Sequence, residues 1–385
     1  MNHKKILINS LLLLLSVSTG IVVSELVLRA LPNEFYYYRP HEILSAYNDG
    51  FRMVTYKKNS KVTMTMPYGD LVAMDRHADK SIAEPRKVTF ATDSYGFRNN
   101  ADYHGQRYVL VGDSFVVANG DSQEDTLNSQ LKRDYGIDAY NLAAPGGLTE
   151  YAKLIKKFCK DNAGDFKMLV FFFEGNDFPR PGEEDADAGP SYKKITSDRS
   201  SLYRKMQDIL KQSYIRRVFV RIRKGIKSEA RYRKTGEHVT RVYKIKGKDA
   251  RMGFYDNYID TTLRPECDGG APFLEELKSI SDNIAYIFFI PTKYRVYREL
   301  IEGDGGAPLP NAQWECLSAM ANKLNIRCIN LTQPLIEESK KILKEDKYTY
   351  WRDDTHWNKY GISTAAMVVY ETLKENENNH GGGKR

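Results

Sequence analysis

Cysteine is scarce in this sequence, and the few cysteines present follow no metal-binding pattern. The 385 residues include only Cys159, Cys267, Cys316 and Cys328. Disulfide scaffolds need a higher density of cysteine, and cysteine zinc sites need closely spaced pairs. Both classes are therefore excluded. Cys159 and Cys328 lie in apolar stretches typical of a core, whereas Cys267 and Cys316 flank loops and are predicted to form a disulfide in an oxidising compartment.

Acidic residues are nearly missing from one long region. Lys193 to Lys248 holds about 19 lysines and arginines against about four acidic residues, although the whole chain carries only +8. The region belongs to an insertion at about 179–265, which is too long for an ordinary connection between strands. A solvated helical insertion is the favoured interpretation, and a membrane-surface helix or a groove for an acidic polymer is the alternative. No nucleic-acid-binding signature accompanies the charge, so nucleic acid is not an expected partner.

Long apolar runs are confined to the N-terminus. The uncharged run from Ile6 to Ser24 follows Lys4 and Lys5, and as a helix it would span about 28 Å, close to the thickness of a bilayer core. Lysines before the run favour a cytoplasmic N-terminus. The sequence therefore predicts a single-pass inner-membrane anchor with the remaining chain on the periplasmic or outer side.

A cleaved signal peptide is the alternative for the same run. Ser16 and Ser18 could supply the small residues of a cleavage site. The apolar run continues past them, which favours a retained anchor. In both cases the remainder of the chain is exported.

The exported part divides by composition. Residues 33–104 are rich in tyrosine and polar side chains and are predicted to pack beside the core domain as an N-terminal extension. Residues 105–376 alternate apolar strand-like and helical stretches, which predicts a three-layer α/β/α domain around a parallel sheet. The anchor is assigned to 1–32, and the tail 377–385 is predicted to be disordered.

The boundaries of the predicted elements follow from the apolar pattern. The expected strands of the sheet are 108–113, 138–143, 167–173, 284–290 and 326–331, with a further strand at 87–92 in the extension. The expected helices are 122–135, 148–161, 271–281, 309–323, 334–344 and a last one from Lys359 to about Asn376.

A serine follows the first strand of this domain. Gly112, Asp113 and Ser114 come directly after an apolar run, at the edge of the sheet where open α/β proteins place their ligands. Gly112 allows a tight turn. Helix-like sequence follows, and the backbone N–H groups that open this helix are expected to point at whatever the hydroxyl attacks. Gly-Asp-Ser alone is a weak signal, since the same residues fill ordinary turns.

Three further stretches are expected at the same edge of the sheet. Gly146 follows the second strand, Asn176 follows the third, and an Asp-Asp-Thr-His stretch ending at His356 precedes the final helix. His356 can act as general base for Ser114, with an aspartate orienting its imidazole. The Ser114 and Gly146 N–H groups and the Asn176 amide can stabilise an oxyanion. Each of these residues alone would more often be structural, but together they predict a serine-nucleophile site.

These four blocks, in this order, resemble the SGNH hydrolase superfamily, also called GDSL-type esterases. The blocks are Gly112-Asp113-Ser114, Gly146, Gly175-Asn176-Asp177 and Asp353-x-x-His356. The resemblance covers about 105–375 and implies a flavodoxin-like α/β/α fold with a five-stranded parallel sheet. It also implies a Ser-His-Asp mechanism without metal or cofactor. Phe115 replaces the usual leucine after the serine, as in many membrane-anchored members.

Two other segments resemble exported bacterial members of this superfamily. Asp93–Asn99 and Pro291–Tyr297 are similar to segments found there, and some of those proteins are related to alginate-type O-acetyltransferases that act on cell-surface polysaccharide. In the alginate enzymes the Asp/His motif precedes the serine, whereas here it follows. Lys293, in the second segment, is a candidate contact for an acyl acceptor, although a surface lysine is the favoured interpretation.

Two adjacent aspartates compete for the role of histidine partner. Asp353 and Asp354 both lie close to His356 in sequence, and the motif alone leaves the choice open. The family spacing selects Asp353. Residues three apart also share a face in a helical turn, whereas residues two apart do not. Asp354 is therefore expected to cap the following turn.

The expected activity is removal or transfer of a short acyl group, most simply acetyl, on a cell-surface carbohydrate through an acyl-Ser114 intermediate. The expected partners are the ester substrate and the membrane. The alternative is a catalytically silent polysaccharide-binding or assembly protein that uses the basic insertion. The intact set of Ser114, Gly146, Asn176 and His356 argues against that alternative.

Overall fold

The computed structural model describes residues 3–32, 35–75, 77–178, 213–220, 222–223, 226, 238–267, 271–303 and 308–381. The strands are β1 Ser45–Asn48, β2 Met53–Tyr56, β3 Lys61–Met66, β4 Arg86–Ala91, β5 Tyr108–Val111, β6 Ala139–Asn141, β7 Lys167–Phe173, β8 Thr240–Lys244, β9 Arg251–Tyr255, β10 Ile284–Ile290 and β11 Arg327–Asn330. The helices numbered here are α1 His3–Arg29, α2 Pro40–Leu44, α3 Asp70–Met74, α4 Leu127–Tyr135, α5 Leu148–Asp161, α6 Asp256–Leu263, α7 Ala271–Lys278, α8 Lys293–Tyr297, α9 Ala312–Lys323, α10 Thr332–Ile342 and α11 Lys359–Gly381. Short 3₁₀ turns are formed by Lys80–Ile82, Gln123–Asp125, Ser281–Asn283, Arg298–Leu300 and Leu343–Glu345.

Five strands form one parallel sheet in the order β11–β10–β7–β5–β6. This is the flavodoxin-like order, in which the chain turns to one side after the first strand and to the other side after the second. Such a reversal opens a crevice at the carboxyl ends of the two strands flanking it, here β5 and β7. Ser114 and Asn176 follow these two strands, so the topology places both residues at the crevice.

The sheet has a separate apolar core on each face. Successive residues of a strand point to opposite faces, and in β5 Leu110 belongs to one core whereas Val109 and Val111 belong to the other. Helices α4, α10 and α11 supply apolar side chains to the first core, and α5, α7 and α9 supply the second. Every residue of β5 is buried, as expected for a central strand covered on both faces. The three-layer α/β/α architecture predicted from the sequence is confirmed.

The N-terminal extension contains two antiparallel strand pairs, the hairpin β1–β2 and the pair β3–β4, whose strands are separated in sequence by α3. Asp93, after β4, accepts hydrogen bonds from the backbone N–H groups of Tyr95 and Phe97 and from the hydroxyl of Tyr140 on β6. The buried guanidinium of Arg98 donates to backbone carbonyls in the chain that follows Ser114. The Asp93–Asn99 segment, which resembles segments of exported members of the superfamily, thus joins the extension to the chain that follows Ser114.

The chain divides into two compact units. The larger contains residues 38–189 and 238–385 and includes the extension and the parallel sheet. The smaller contains 1–37 and 190–237. In the smaller unit, α1 carries a stretch of 25 residues, Lys5–Arg29, that is long and apolar enough to cross a membrane.

Most predicted elements match the structure, and the differences are local. The predicted helix at 122–135 begins only at Leu127, and residues 114–121 form turns, so the helix expected soon after Ser114 was wrong. Ala118 and Gly120 adopt positive φ angles of 61° and 93°, which a right-handed helix does not allow. The final helix extends past Asn376 to Gly381.

Of the basic insertion, residues 179–212, 221, 224–225 and 227–237 lie outside the described residues. Its C-terminal part is not purely helical as predicted, because β8 and β9 form an antiparallel hairpin before α6. The predicted disulfide is confirmed: Cys267 and Cys316 are bonded, whereas Cys159 and Cys328 are free.

Candidate active site

The turn after β5 fixes the position of Ser114. The backbone N–H groups of Val117 and Asn119 donate back to the carbonyls of Asp113 and Ser114, which closes the turn. A side chain at Gly112 would meet Val116 at 2.5 Å, so glycine is required for this close approach. Asp113 accepts a hydrogen bond from the Phe115 N–H at 2.9 Å. These contacts leave the Ser114 hydroxyl half-buried at the sheet edge.

Ser114, His356 and Asp354 form a continuous hydrogen-bonded chain. Ser114 Oγ lies 2.7 Å from His356 Nε2, and His356 Nδ1 lies 2.6 Å from Asp354 Oδ1. With its proton on Nδ1, the imidazole donates to the carboxylate and accepts the proton of the serine hydroxyl. Asp354 and His356 are almost fully buried, so water does not compete strongly for these bonds. This geometry is that of a nucleophile, its base and the group that orients the base.

The partner of His356 is Asp354, and the prediction of Asp353 was wrong. The chain from Trp351 to His356 is a turn and not a helix, so the helical spacing used for the prediction does not apply. Asp354 Oδ1 also accepts the backbone N–H of His356 at 3.2 Å. In a turn of this kind an aspartate reaches the residue two positions ahead, which brings its carboxylate beside the imidazole.

Asp353 has a structural role instead. Its Oδ2 accepts the backbone N–H groups of Gly69 and Glu84 at 2.7 and 2.8 Å, and its Oδ1 lies 3.0 Å from the guanidinium of Arg86. Its side chain is fully buried. Asp353 therefore joins the loop that carries His356 to the N-terminal extension.

Arg86, the first residue of β4, binds both aspartates. One guanidinium nitrogen contacts Asp353 and the other contacts Asp354 Oδ2 at 3.0 Å. The same group lies over the ring of Trp351 at 4.1 Å and donates to the carbonyl of Gly120. A planar fork suits such a bidentate contact better than an ammonium group would. The extension thus supplies the charge that balances two buried carboxylates.

Asp70 brings a second carboxylate to the histidine. It accepts hydrogen bonds from the backbone N–H of Thr355 at 2.8 Å and from the Thr355 hydroxyl at 2.5 Å. Its Oδ2 lies 3.7 Å from His356 Nδ1. A side chain at the preceding Gly69 would meet the carbonyl oxygen of Asp353 at 2.4 Å. Only glycine at position 69 lets the extension approach the histidine loop this closely.

Burial and charge act in opposite directions on the triad. Burial disfavours the imidazolium, but the hydrogen bond with Asp354 and the charges of Asp354 and Asp70 outweigh it and raise the pKa of His356 above 6.5. Burial also favours a neutral Asp354, yet its contacts with His356 and Arg86 hold its pKa well below the usual value. Asp354 is therefore ionised at neutral pH, and its charge favours the protonated form of His356.

Two neighbouring carboxyl groups are shifted the other way. Burial, reinforced by the charge of Asp354, raises the pKa of Asp70 to about 6. Burial likewise raises the pKa of Asp113 to about 6. Negative charge beside His356 therefore changes with pH in the slightly acidic range.

Lys293 is not the surface residue expected from the sequence. It is 4% exposed, and its ammonium group donates to the carbonyls of Trp351 and Asp354 at 2.9 and 2.7 Å. Burial lowers its pKa to about 8. The third loop carbonyl that holds this lysine is that of Arg352 at 3.4 Å. Lys293 therefore fixes the histidine loop and has no free donor for an acyl acceptor.

The predicted oxyanion residues occupy the carboxyl ends of the neighbouring strands. Gly146 lies in the loop after β6 with φ of 147°, and Asn176 follows β7; both are exposed. The adjoining Glu174 is fully buried, accepts the Thr292 N–H at 2.9 Å and pairs with Arg295. This pair joins the turn that carries Asn176 to the end of β10. Gly146 and Asn176, the residues predicted to donate to the oxyanion, thus lie in turns at one edge of the sheet.

One cluster among the described residues has the composition of a cation site. The ligand atoms of Asp70, Asp354 and His356 lie within 4.8 Å of one another. A cation there would take His356 Nδ1 and Asp354 Oδ1 out of their mutual hydrogen bond. That loss would leave the imidazole without its orienting partner, so the arrangement suits proton transfer better than metal binding.

Sequence reasoning missed Asp70 and Arg86 and gave Asp354 only a capping role. Asp70 and Arg86 reach the histidine loop through contacts between segments about 270 to 285 residues apart, as the Asp70–Thr355 and Arg86–Asp353 pairs show. No spacing along the chain reports such contacts. The one available signal was the Asp-Asp pair itself, which left Asp354 as a candidate.

Comparison with known proteins gives two family matches to different parts of the chain. Residues 108–247 match the GDSL-like Lipase/Acylhydrolase family, and residues 282–385 match the SGNH hydrolase-like domain of acetyltransferase AlgX. The first range contains Ser114, Gly146 and Asn176, and the second contains His356. No match was found among curated proteins.

One similar solved structure is a member of the lipolytic protein G-D-S-L family from Veillonella parvula. The similarity has 11% sequence identity and a TM-score of 0.33, and it covers 68% of this chain and 96% of that chain. The two family matches lie on one continuous parallel sheet, and both describe ester chemistry by the same type of domain. The chain is therefore an ester hydrolase or O-acyltransferase that belongs to the SGNH hydrolase superfamily.

Proposed function

We propose that this protein removes or transfers a short acyl group, most simply acetyl, on a cell-surface carbohydrate through an acyl-Ser114 intermediate. The observation that carries the proposal is the hydrogen-bonded chain Ser114–His356–Asp354, with distances of 2.7 and 2.6 Å. The match of residues 282–385 to a domain described as an acetyltransferase supports acetyl as the group.

The first half-reaction makes the acyl-enzyme. Ser114 Oγ attacks the ester carbonyl while its proton passes to His356 Nε2. The tetrahedral oxyanion receives hydrogen bonds from the N–H groups of Ser114 and Gly146 and from the Asn176 side chain, each worth about 3–4 kcal/mol in the transition state. The carbon–oxygen bond to the leaving alcohol then breaks, and His356 gives its proton to that oxygen.

The second half-reaction decides between hydrolysis and transfer. Water or a sugar hydroxyl gives its proton to His356 Nε2 and attacks the acyl carbon of Ser114. Collapse of the second tetrahedral intermediate releases the acid or the new ester and returns the proton to Ser114 Oγ. Both outcomes use the same residues, and the acceptor alone distinguishes them.

The domain organisation follows from the same proposal. Residues 1–32 anchor the protein in the inner membrane, 33–104 form the extension that braces the histidine loop, and 105–376 form the enzyme domain, with the basic insertion at about 179–265. The enzyme domain faces the periplasm, where surface carbohydrate is assembled. Lys4 and Lys5, which precede the apolar run of α1, support this orientation.

The test is a product analysis. The full-length protein in detergent is incubated with an activated acetyl ester, with and without candidate oligosaccharides, and the products are identified by mass spectrometry. We expect acetate in the absence of an acceptor and, for a transferase, an acetylated oligosaccharide in its presence. The acetyl adduct should be found on the peptide that contains Ser114.

A matched pair of variants tests the nucleophile. Ser114→Ala removes only a hydroxyl and should abolish ester turnover with an unchanged thermal midpoint. Ser94→Ala removes a hydroxyl from another turn, where it contacts Asp102, and should keep turnover. Turnover of the folded Ser114→Ala protein at the wild-type rate would refute the mechanism.

A further inference from the structure

A second helical segment starts at the end of α1. Residues 213–226, described at 213–220, 222–223 and 226, are called here the juxtamembrane segment, and all of its described residues after 213 are helical. It belongs to the same compact unit as α1. It lies beside α1, the one long apolar helix of the described chain.

Glu25 joins the two helices. Its carboxylate accepts hydrogen bonds from the Ser213 hydroxyl at 2.9 Å and from the backbone N–H groups of Tyr214 and Ile215 at 3.0 and 3.1 Å. It is also paired with Arg29, one turn further along α1, at 3.0 Å. A carboxylate at the first turn of a helix satisfies N–H groups that have no partner within the helix. The juxtamembrane segment therefore begins at the level where α1 changes from apolar to charged.

Aromatic rings pack around the same junction. The rings of Tyr36 and Tyr214 meet edge to face at 4.8 Å, and the Tyr36 hydroxyl donates to the carbonyl of Leu28. The guanidinium of Arg217 lies over the Tyr214 ring at 4.1 Å and over the Tyr37 ring at 5.3 Å. Tyrosine and arginine together at the end of an apolar helix are typical of the interface between lipid and water.

One face of the juxtamembrane segment is apolar and uncovered. Phe219, Ile222 and Ile226 are 69, 53 and 64% exposed. Their spacing of three and four residues places them on one side of a helix. Arg216 and Arg223 are also exposed, and at 100° per residue they lie about a quarter turn away from that side. The segment thus has the form of a basic amphipathic helix.

We propose that the juxtamembrane segment lies on the membrane surface, with Phe219, Ile222 and Ile226 among the acyl chains and its arginines at anionic headgroups. Continuity with α1 selects lipid as the occupant, because the Glu25 contact starts the segment at the end of the predicted span. Aromatic and aliphatic residues on one side of a helix, with arginines flanking that side, are typical of interfacial helices. The proposal rests on α1 being the membrane anchor.

Depth-dependent fluorescence quenching tests the proposal on the full chain. Single cysteines at 219, 222 and 216 are labelled with an environment-sensitive fluorophore in a background where the free Cys159 and Cys328 are alanine. The protein is placed in nanodiscs of phosphatidylcholine with phosphatidylglycerol, and in phosphatidylcholine alone. Quenchers are iodide in water and lipids with a nitroxide near the headgroup or deep in the acyl chain. A label at position 13, within α1, reports on the anchor.

We expect labels at 219 and 222 to be quenched by the shallow nitroxide and protected from iodide, with stronger quenching in the anionic nanodiscs. The label at 216 should be open to iodide, and the label at 13 should respond to the deep nitroxide. Equal iodide access at 219, 222 and 216, with position 13 still quenched by lipid, overturns the surface helix while leaving the anchor intact.

Two other outcomes also contradict the proposal. Labels at 219 and 222 that are protected from iodide but unaffected by either nitroxide lipid would mean that protein, such as a second copy, covers the apolar face. A label at 13 that no lipid quenches would mean that α1 is not an anchor, and the proposal would fall with it. Ester turnover measured in the same nanodiscs separates both failures from any failure of the active site.

Discussion

At the scale of single residues, the two adjacent aspartates have different tasks. Asp354 orients His356, so Asp354→Asn should present the wrong hydrogen-bonding group to Nδ1 and lower kcat by up to about 10⁴. Asp353 touches Gly69, Glu84 and Arg86 but not the imidazole. Asp353→Asn should therefore reduce the free energy of unfolding by about 1–3 kcal/mol while changing kcat much less.

The two variants control for each other, because both replace a buried carboxylate with an amide at neighbouring positions. Steady-state kinetics and urea unfolding of both proteins at one pH provide the measurement. A larger loss of kcat in Asp353→Asn than in Asp354→Asn would restore the family spacing and reject the observed pairing.

Asp70 should set the acidic limit of activity. The base must be neutral to accept the Ser114 proton, and the raised pKa of His356 places the loss of activity at a higher pH than for a free imidazole. Asp70 contributes to this rise through its charge, and it is itself faced by Asp354, Arg39 and Lys293. Asp70→Asn removes a negative charge and should lower the pKa of His356, moving the acidic limb of kcat/KM to lower pH.

A pH profile from pH 4 to 9 measures the shift, since a merely structural role would change the height of the profile and not its position. Asp79→Asn is the matched control, because Asp79 caps the 3₁₀ turn Lys80–Ile82 on the surface and does not act on His356. An acidic limb that stays in place or moves to higher pH in Asp70→Asn would contradict this account.

At the same scale, the sequence singled out Ser114 and His356, which the structure brings into hydrogen-bond distance, but it selected the wrong aspartate as the neighbour of His356. Ser114 and His356 belong to motifs whose identity does not depend on local conformation. The choice between Asp353 and Asp354 does depend on it, because the helical rule applies only where the chain is helical. The turn at 351–356 is stabilised by Arg86 and Lys293 from distant segments, and no local pattern reports that.

At the scale of elements, β4 links the extension to the loop that carries His356. Its first residue, Arg86, neutralises Asp353 and Asp354, and breaking such a buried pair typically costs about 3–5 kcal/mol. Arg86→Gln should lower the free energy of unfolding by an amount of this order. It should also lower kcat, because Asp354 would lose one of the contacts that hold its carboxylate beside His356.

The neighbouring residue supplies the control. Lys87 is exposed and points to the opposite face of the same strand, so Lys87→Gln removes a positive charge without touching the site. Its kcat and its thermal midpoint should match those of the wild type. Equal effects of Arg86→Gln and Lys87→Gln would show that the extension contributes only general charge.

The strands of the parallel sheet were predictable from the sequence, whereas most strands of the extension and the turns after Ser114 were not. β7 reads as an apolar run because both of its faces are covered, and the predicted 167–173 equals the observed Lys167–Phe173. In the extension, β1 and β2 have four residues each, too few for a period to stand out, and the six-residue β3, which alternates polar and apolar residues, was not among the predicted strands. A helix was predicted where the chain forms turns after Ser114, because amino-acid composition does not reveal the positive φ of Ala118.

At the scale of the whole molecule, the disulfide ties distant parts of the enzyme domain together. Cys267 and Cys316 are separated by 49 residues, and closing a loop of this length restricts the unfolded chain by about 4 kcal/mol in the entropic model. Cys267→Ala with Cys316→Ala should therefore lower the free energy of unfolding by up to that amount. Cys159→Ala with Cys328→Ala, which removes the two free thiols, should have a smaller effect that does not depend on reductant.

Chemical unfolding with and without dithiothreitol measures this contribution. Wild-type protein in reductant should behave like the double variant of Cys267 and Cys316, and ester turnover below the unfolding transition should persist in both. Equal stability of the oxidised wild type and that double variant would contradict the predicted role of the bond.

The disulfide and the N-terminal charges together predict the orientation of the chain. Disulfides persist in oxidising compartments, and Lys4 and Lys5 favour a cytoplasmic N-terminus before α1. An alkaline phosphatase fused after Arg385 should therefore be active in intact cells, whereas a fluorescent protein that matures only in the cytoplasm should stay dark at the same position. The opposite pair of signals would place the enzyme domain in the cytoplasm.

The intact mass of the membrane-extracted protein decides between the two fates of α1. A mass that includes residues 1–32 means a retained anchor, and an N-terminus near Thr19 means a cleaved signal peptide.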